Sequence, residues 1–132
     1  MNKDAIEFIQ QWLAKANEDI IVVEKLTENE IVANSSICFH CQQAVEKFLK
    51  AFLIANGLDI RKTHNIEFLL SECADIDSDF AMIEPKDLSD FGVDARYPGD
   101  MYIPDEKEVL EYKNLALHIK HIVENKIYKI LE

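Results

Sequence analysis

Apolar residues recur at steps of three and four along most of the chain, and this spacing predicts amphipathic helices. The first helix is predicted over residues 4–27, with Asp4 as its N-cap. Its apolar stripe consists of Ala5, Ile9, Trp12, Ala16, Ile20 and Val23. The last helix is predicted over residues 105–131. Its stripe consists of Val109, Tyr112, Ala116, Ile119, Val123, Ile127 and Ile130.

The segment 30–56 is apolar around about half of its circumference at 100° per residue, which predicts a central helix packed against two or more others. Gly57 follows it as a helix stop able to take the left-handed conformation. The opposite face is polar. It carries His40, Gln43, Glu46, Lys47 and Lys50. Two interpretations of this face remain open: a solvated surface with an internal Glu46–Lys50 pair, or a surface that faces a ligand.

The remaining third of the chain predicts shorter elements. After the linker 58–64, Thr63 is the expected N-cap of a short helix that ends near 75–78, and another short helix is predicted over 79–93. The stretch 94–106 is the least helical, because Pro98-Gly99 marks a turn. The pattern as a whole predicts an all-α protein, an up-and-down antiparallel bundle of four to five helices in one domain, residues 1–132.

Asp19 breaks the apolar pattern of the first helix, because it shares a face with Trp12, Ala16 and Val23. A carboxylate placed there needs a partner or a shifted pKa. It is either a buried structural residue that holds a neighbouring helix in register or part of a functional site.

Cys38 and Cys41 have the C-x-x-C spacing of some metal and redox sites, with His40 between them. Both fall within the apolar arc of the predicted second helix, where a turn that converges two thiolates is absent. A second cysteine pair and a strand–helix context are also absent from the sequence pattern. The two residues are therefore predicted to be packing residues, with no metal and no cofactor.

Composition and charge narrow the functional classes. Three Gly and three Pro are few for a β-protein, and a net charge of −11 argues against binding duplex DNA. The first twenty residues carry scattered charges, and apolar runs long enough for a membrane span are absent from the sequence. A cytoplasmic location, without membrane contact, is the expectation.

Four stretches resemble one protein family, and they occur in that family's order. They are "WLAKANEDI" (12–20), "FHCQQAVEKFLKAFLIANG" (39–57), "KTHNIEFLL" (62–70) and "DARYPGD" (94–100). The second resembles the signature helix of HEPN domains (higher eukaryotes and prokaryotes nucleotide-binding). The resemblance implies a HEPN-like helical bundle, usually a homodimer. It also implies a minimal nucleotidyltransferase as partner, often in a toxin–antitoxin pair.

The resemblance suggests ligand-binding roles for the polar residues of the second helix and of two loops. Gln43, Lys47 and Lys50 are expected to face a phosphate-bearing ligand, with Glu46 on the same face. Arg96 offers a bidentate fork, Tyr97 a stacking ring, and His64 a hydrogen bond beside a helix N-terminus. The candidate ligand-binding residues are Gln43, Glu46, Lys47, Lys50, His64, Arg96 and Tyr97. The plainer alternatives are that His64 belongs to a helix cap and that Arg96 pairs with Asp19.

Three functions follow. The first is a non-catalytic nucleotide- and partner-binding module. The second is a metal-independent ribonuclease, whose family pattern is an Arg followed four to six residues later by His. Here Arg61 precedes His64 by only three positions and Arg96 precedes His118 by many, so the weak catalytic candidates are His64 and Arg96 alone. The third is a structural helical adaptor.

A nucleotidyltransferase partner could also modify Tyr97 or Tyr102, and Tyr102 is the better acceptor if Tyr97 is packed.

Overall fold

The computed structural model describes residues 1–92 and 102–132, and those residues form an all-helical bundle, as predicted. Within these two ranges lie four α-helices: α1 (Lys3–Leu26), α2 (Asn34–Ala55), α3 (Ile66–Ile76) and α4 (Glu106–Leu131). The described residues form no strand.

The helix starts differ from the predicted ones because other side chains and one backbone angle set them. The Asn2 side chain, not Asp4, caps α1. Helix α2 begins four residues later than predicted, because Ala33 adopts a left-handed φ of 58°. Asn65, not Thr63, caps α3, and the Thr63 hydroxyl instead accepts from the Asn65 amide.

The predicted helix over 79–93 is replaced by two short 3₁₀ helices, Ser78–Phe80 and Leu88–Phe91. Between them lies Pro85, which has no backbone N–H to donate, followed by Lys86 with a left-handed φ of 52°. A continuous helix cannot pass through such a residue.

Helix α2 lies at the centre, as its wide apolar arc predicted. Its fully buried apolar residues are Ile37, Cys38, Cys41, Ala44, Val45, Phe48, Leu49 and Ala51. Gly57 ends the helix with a φ of 86°, the left-handed conformation predicted for it.

Pairings between side chains define the helix directions. Asn17 of α1 bonds Glu124 of α4, whereas Thr27 bonds Lys113, so these helices run antiparallel. Helix α1 also runs antiparallel to α2 across the short connection 27–33. Helices α2 and α4 therefore point the same way, and α1 and α4 both pack against the central α2.

Ion pairs fix the connections to the helices. The Arg61 guanidinium donates to both carboxylate oxygens of Glu72, at 2.7 and 3.0 Å, and so attaches the linker 58–65 to α3. The Lys126 ammonium donates to Asp77 and Asp79, each at 2.7 Å, and attaches the end of α3 to α4. Within the described residues, no helix is both long and apolar enough to cross a membrane.

Candidate functional site

The carboxylate of Glu46 is the centre of a buried polar network on α2. Lys50 Nζ donates to Oε2 at 3.0 Å, and the Gln42 side-chain amide donates to Oε1 at 3.1 Å. His64 Nδ1 lies 2.9 Å from the same Oε1 atom. The Glu46 and Lys50 side chains are only 6% and 7% exposed, so the pair is not part of a solvated face. The linker covers it, because His64 lies against Glu46.

The network orients the His64 ring. Since Nδ1 faces a carboxylate, Nδ1 carries a proton, and Nε2 is left for a partner outside the network. The imidazole is 62% exposed, which makes Nε2 accessible. The buried Gln42 amide also donates to the His64 carbonyl at 3.2 Å, and its own oxygen accepts from Gln43 at 2.7 Å. The ring and the backbone carbonyl of His64 are thus both held by residues of α2.

Asp19 lies in a second network, between α1 and α2. It is 7% exposed, and its two oxygens contact different partners on α2. His40 Nδ1 lies 2.8 Å from Oδ1, and Lys47 Nζ donates to Oδ2 at 2.7 Å. Asp19 therefore joins the two helices, as the structural interpretation of this residue supposes. The alternative partner considered from the sequence, Arg96, lies outside the described residues.

An apolar groove runs beside these networks. It has a volume of about 570 Å³ and is lined by Phe8 and Trp12 of α1, Lys47 of α2 and Ile60 of the linker, together with Gln11, Ala14, Lys15 and Glu18. Phe8 meets Trp12 edge to face, with ring centroids 6.3 Å apart. Lys50 Nζ lies 5.9 Å from the Trp12 ring centroid, so the groove and the Glu46 network share a wall.

The cysteines of the C-x-x-C stretch are packing residues, as predicted. Cys38 and Cys41 are both completely buried within α2. Burial raises the pKa of the Cys38 thiol to about 12 and raises that of Cys41 further. Such thiols are poor nucleophiles near neutral pH. The described residues contain no group of three or more His, Cys, Asp or Glu side chains that could hold a metal ion.

The resemblance seen in the sequence is matched by a direct comparison. The family model of the HEPN domain matches residues 9–126 of the chain. The chain belongs to the HEPN domain family. The matched span includes both polar networks and most of the groove. Among curated proteins and solved structures, none matches the chain.

The arginine–histidine pattern of HEPN ribonucleases has no counterpart around Arg61 and His64. They are three positions apart, and the Arg61 guanidinium is engaged by Glu72 rather than directed to the imidazole. Arg96 and Tyr97, which were also predicted to bind the ligand, lie outside the described residues. Of the predicted ligand-binding residues that are described, Gln43, Lys47 and His64 are accessible, whereas Glu46 and Lys50 are buried.

Tyr102, the predicted modification site, is 61% exposed. Its hydroxyl donates a hydrogen bond to Glu108 near the start of α4. This bond raises the Tyr102 pKa to about 12, which makes the hydroxyl harder to deprotonate and a weaker nucleophile.

Sequence reasoning missed the groove and Gln42. Phe8 and Trp12 are four residues apart, a spacing that places two aromatic rings together on a helix. Gln42 lies one turn before Glu46, where an amide reaches a carboxylate. Both spacings can be seen in the sequence. The place of Ile60 in the groove cannot, because it depends on the path of the linker.

Proposed function

We propose that this HEPN protein is a non-catalytic nucleotide- and partner-binding module that acts with a minimal nucleotidyltransferase, in a pair of the toxin–antitoxin type. The observation that carries the proposal is the aromatic-lined groove between α1, α2 and the linker. Its volume of about 570 Å³ lies within the range of roughly 300–1,000 Å³ typical of small-molecule sites.

The chemistry around the groove supports a nucleotide. Trp12 and Phe8 offer aromatic surface for a base, and Lys47 lies at the wall. Gln43 and the outward Nε2 of His64 offer hydrogen bonds on the neighbouring α2 face. Glu46 and Lys50 act one step away, because Glu46 holds His64 and Lys50 lies over the Trp12 ring.

A thermal-shift titration with a panel of nucleotides tests ligand binding. A ligand at a hundred times its dissociation constant adds about 2.7 kcal/mol to the free energy of unfolding. For a domain of this size that is a rise of several degrees in melting temperature. Phe8→Ala is expected to reduce the rise. Phe68→Ala is the matched control, because Phe68 is a similarly exposed phenylalanine that does not line the groove. A panel that leaves the wild-type melting temperature unchanged refutes nucleotide binding.

The partner and the homodimer are tested separately by size-exclusion chromatography with light scattering. The chain alone is expected to elute at twice its mass of 15.2 kDa. After mixing with a minimal nucleotidyltransferase, both proteins are expected in one peak of larger mass. Separate peaks at micromolar concentration refute the pairing, and nucleotide binding then stands or falls on the thermal-shift result alone.

A ribonuclease is the second candidate, because Glu46 holds His64 with Nε2 directed outward. A histidine in that arrangement can take a proton from a ribose 2′-hydroxyl. Incubation with single-stranded RNA in the presence of a chelator tests it. Cleavage by wild type but not by His64→Ala supports the ribonuclease, and equal cleavage by both variants, or none by either, excludes His64 as its base.

A further inference from the structure

We propose that the groove recognises the nucleoside part of its ligand, so that the phosphate groups add little to the affinity. The inference rests on the proposed nucleotide-binding function and concerns the same groove. It follows from the charges around the groove and from the nature of its lining.

Every lysine at the groove is compensated by a carboxylate. Lys47 Nζ lies 2.7 Å from Asp19 Oδ2, and Asp19 is buried, so the two charges cancel at close range. Lys15, which lines the groove at its exposed side, has Glu18 at 3.7 Å, and Glu18 lines the groove as well.

Two neighbouring cations, Lys50 and Arg61, are compensated in the same way. Lys50, which lies over Trp12, donates to the buried Glu46 at 3.0 Å. The Arg61 fork, one residue beyond Ile60, is occupied by both oxygens of Glu72. Among the described residues that line the groove, Lys15 and Lys47 are matched by Glu18 and the buried Asp19, so the lining carries no net positive charge, and Lys62 of the linker is not part of it.

A phosphate gains little from such a surface. Lys47 would have to exchange the Asp19 carboxylate for the phosphate, Lys15 lies beside the Glu18 carboxylate, and the whole chain carries a net charge of −11, which repels anions. Proteins that bind phosphate tightly use uncompensated lysines, free arginine forks or helix N-termini. By contrast, the Trp12 and Phe8 rings and the Ile60 side chain offer an apolar surface that a nucleobase can cover.

Isothermal titration calorimetry with nucleosides and their nucleotides tests the inference. Adenosine, guanosine, cytidine and uridine are each compared with the corresponding mono- and triphosphate. The nucleoside that binds is expected to have a dissociation constant within about threefold of its triphosphate, with little change between low and high salt. Trp12→Leu is expected to weaken the nucleoside and the triphosphate equally, by roughly tenfold. Phe8→Ala serves as a second variant if Trp12→Leu does not fold.

Charge variants provide the sharper comparison. Lys15→Met is expected to leave the ratio of nucleoside to triphosphate affinity unchanged. Lys25→Met is its matched control, because Lys25 pairs with Glu28 at the same spacing and the same 3.7 Å distance but does not line the groove. A triphosphate that binds tenfold tighter than its nucleoside, with loss of that advantage in Lys15→Met, overturns the inference and leaves nucleotide binding intact. Heats of binding that are absent for every nucleoside and nucleotide overturn both.

Discussion

Replacing Lys50 by Met should destabilise the protein far more than its place on a polar helix face indicates. Met keeps the apolar stem of the side chain but removes the ammonium that donates to Glu46 at 3.0 Å. Both side chains of the pair are less than 10% exposed, at 7% and 6%. The Glu46 carboxylate would therefore remain buried without its cation.

The size of the effect follows from that burial. Removing one partner of a buried ion pair costs about 3–5 kcal/mol, and the lower end applies here because Gln42 and His64 still reach Glu46. Unfolding entropy is about 2.1 cal/mol/K per residue, so in a domain of this size each kcal/mol lowers the melting temperature by about 3–4 °C. Lys50→Met should thus melt about 10 °C below wild type.

Differential scanning calorimetry of two further variants isolates the cause. Lys25→Met breaks a pair of which both side chains are more than half exposed, and it should lower the melting temperature by less than about 3 °C. The double variant Glu46→Gln/Lys50→Met removes both charges and keeps an oxygen that accepts from Gln42. It should be more stable than Lys50→Met alone, although it carries more changes. A loss in Lys50→Met no larger than that in Lys25→Met would refute the argument, because Glu46 would then have to be solvated.

Three further outcomes are expected. Lys126→Met should lower stability near neutral pH. The hydrogen bond from Lys126 lowers the Asp77 pKa, so the difference from wild type should begin to shrink near the ordinary aspartate pKa of about 4 and vanish once the pH lies below the lowered pKa of the folded state. Melting temperatures of both proteins across the acid range check this, and a constant difference contradicts it. Cys41 should react with a thiol reagent at pH 8 only when the chain unfolds, because it is buried and its pKa is raised; rapid labelling of the native protein is the contrary result. Gly92→Ala should cost about 1 kcal/mol in a denaturant titration, because the new Cβ would lie 3.3 Å from the fixed side-chain amide of Gln42, and unchanged stability would show that this amide can shift.

The helices were predictable because their apolar periodicity extends over many turns, whereas their starts depend on single residues. Asp4 and Asn2 are both good caps, and the sequence alone does not decide between them. The left-handed Ala33 carries no signal at all, since alanine rarely takes that conformation. The prediction of a helix over 79–93 was wrong for a related reason. The helical spacing is present there, but Pro85 interrupts it and the chain forms two 3₁₀ helices.

The sequence singled out the polar residues Glu46, Lys50 and His64 of the candidate site, but it did not predict their roles or the groove beside them. The sequence places Glu46 and Lys50 on the polar arc of α2, and a solvated pair is the ordinary outcome there. The linker changes that outcome, because it returns across α2 and covers the pair with His64. Such coverage depends on the path of the linker, which helical periodicity does not encode.

The two networks together explain why the central helix of this HEPN domain carries so many polar residues. Each places one buried carboxylate between a lysine and a histidine, Glu46 with Lys50 and His64, and Asp19 with Lys47 and His40. The first ties the linker to α2, and the second ties α1 to α2, so the groove between α1 and the linker is fixed on both sides. The charged residues of the signature helix are therefore engaged within the protein, Lys50 by Glu46 and Lys47 by Asp19. In the proposed nucleotide-binding function, contact with the ligand falls to the aromatic rings and to the few polar atoms that face outward. Substitutions in either network should alter ligand affinity together with stability, whereas substitutions of exposed groove residues such as Phe8 should alter affinity alone.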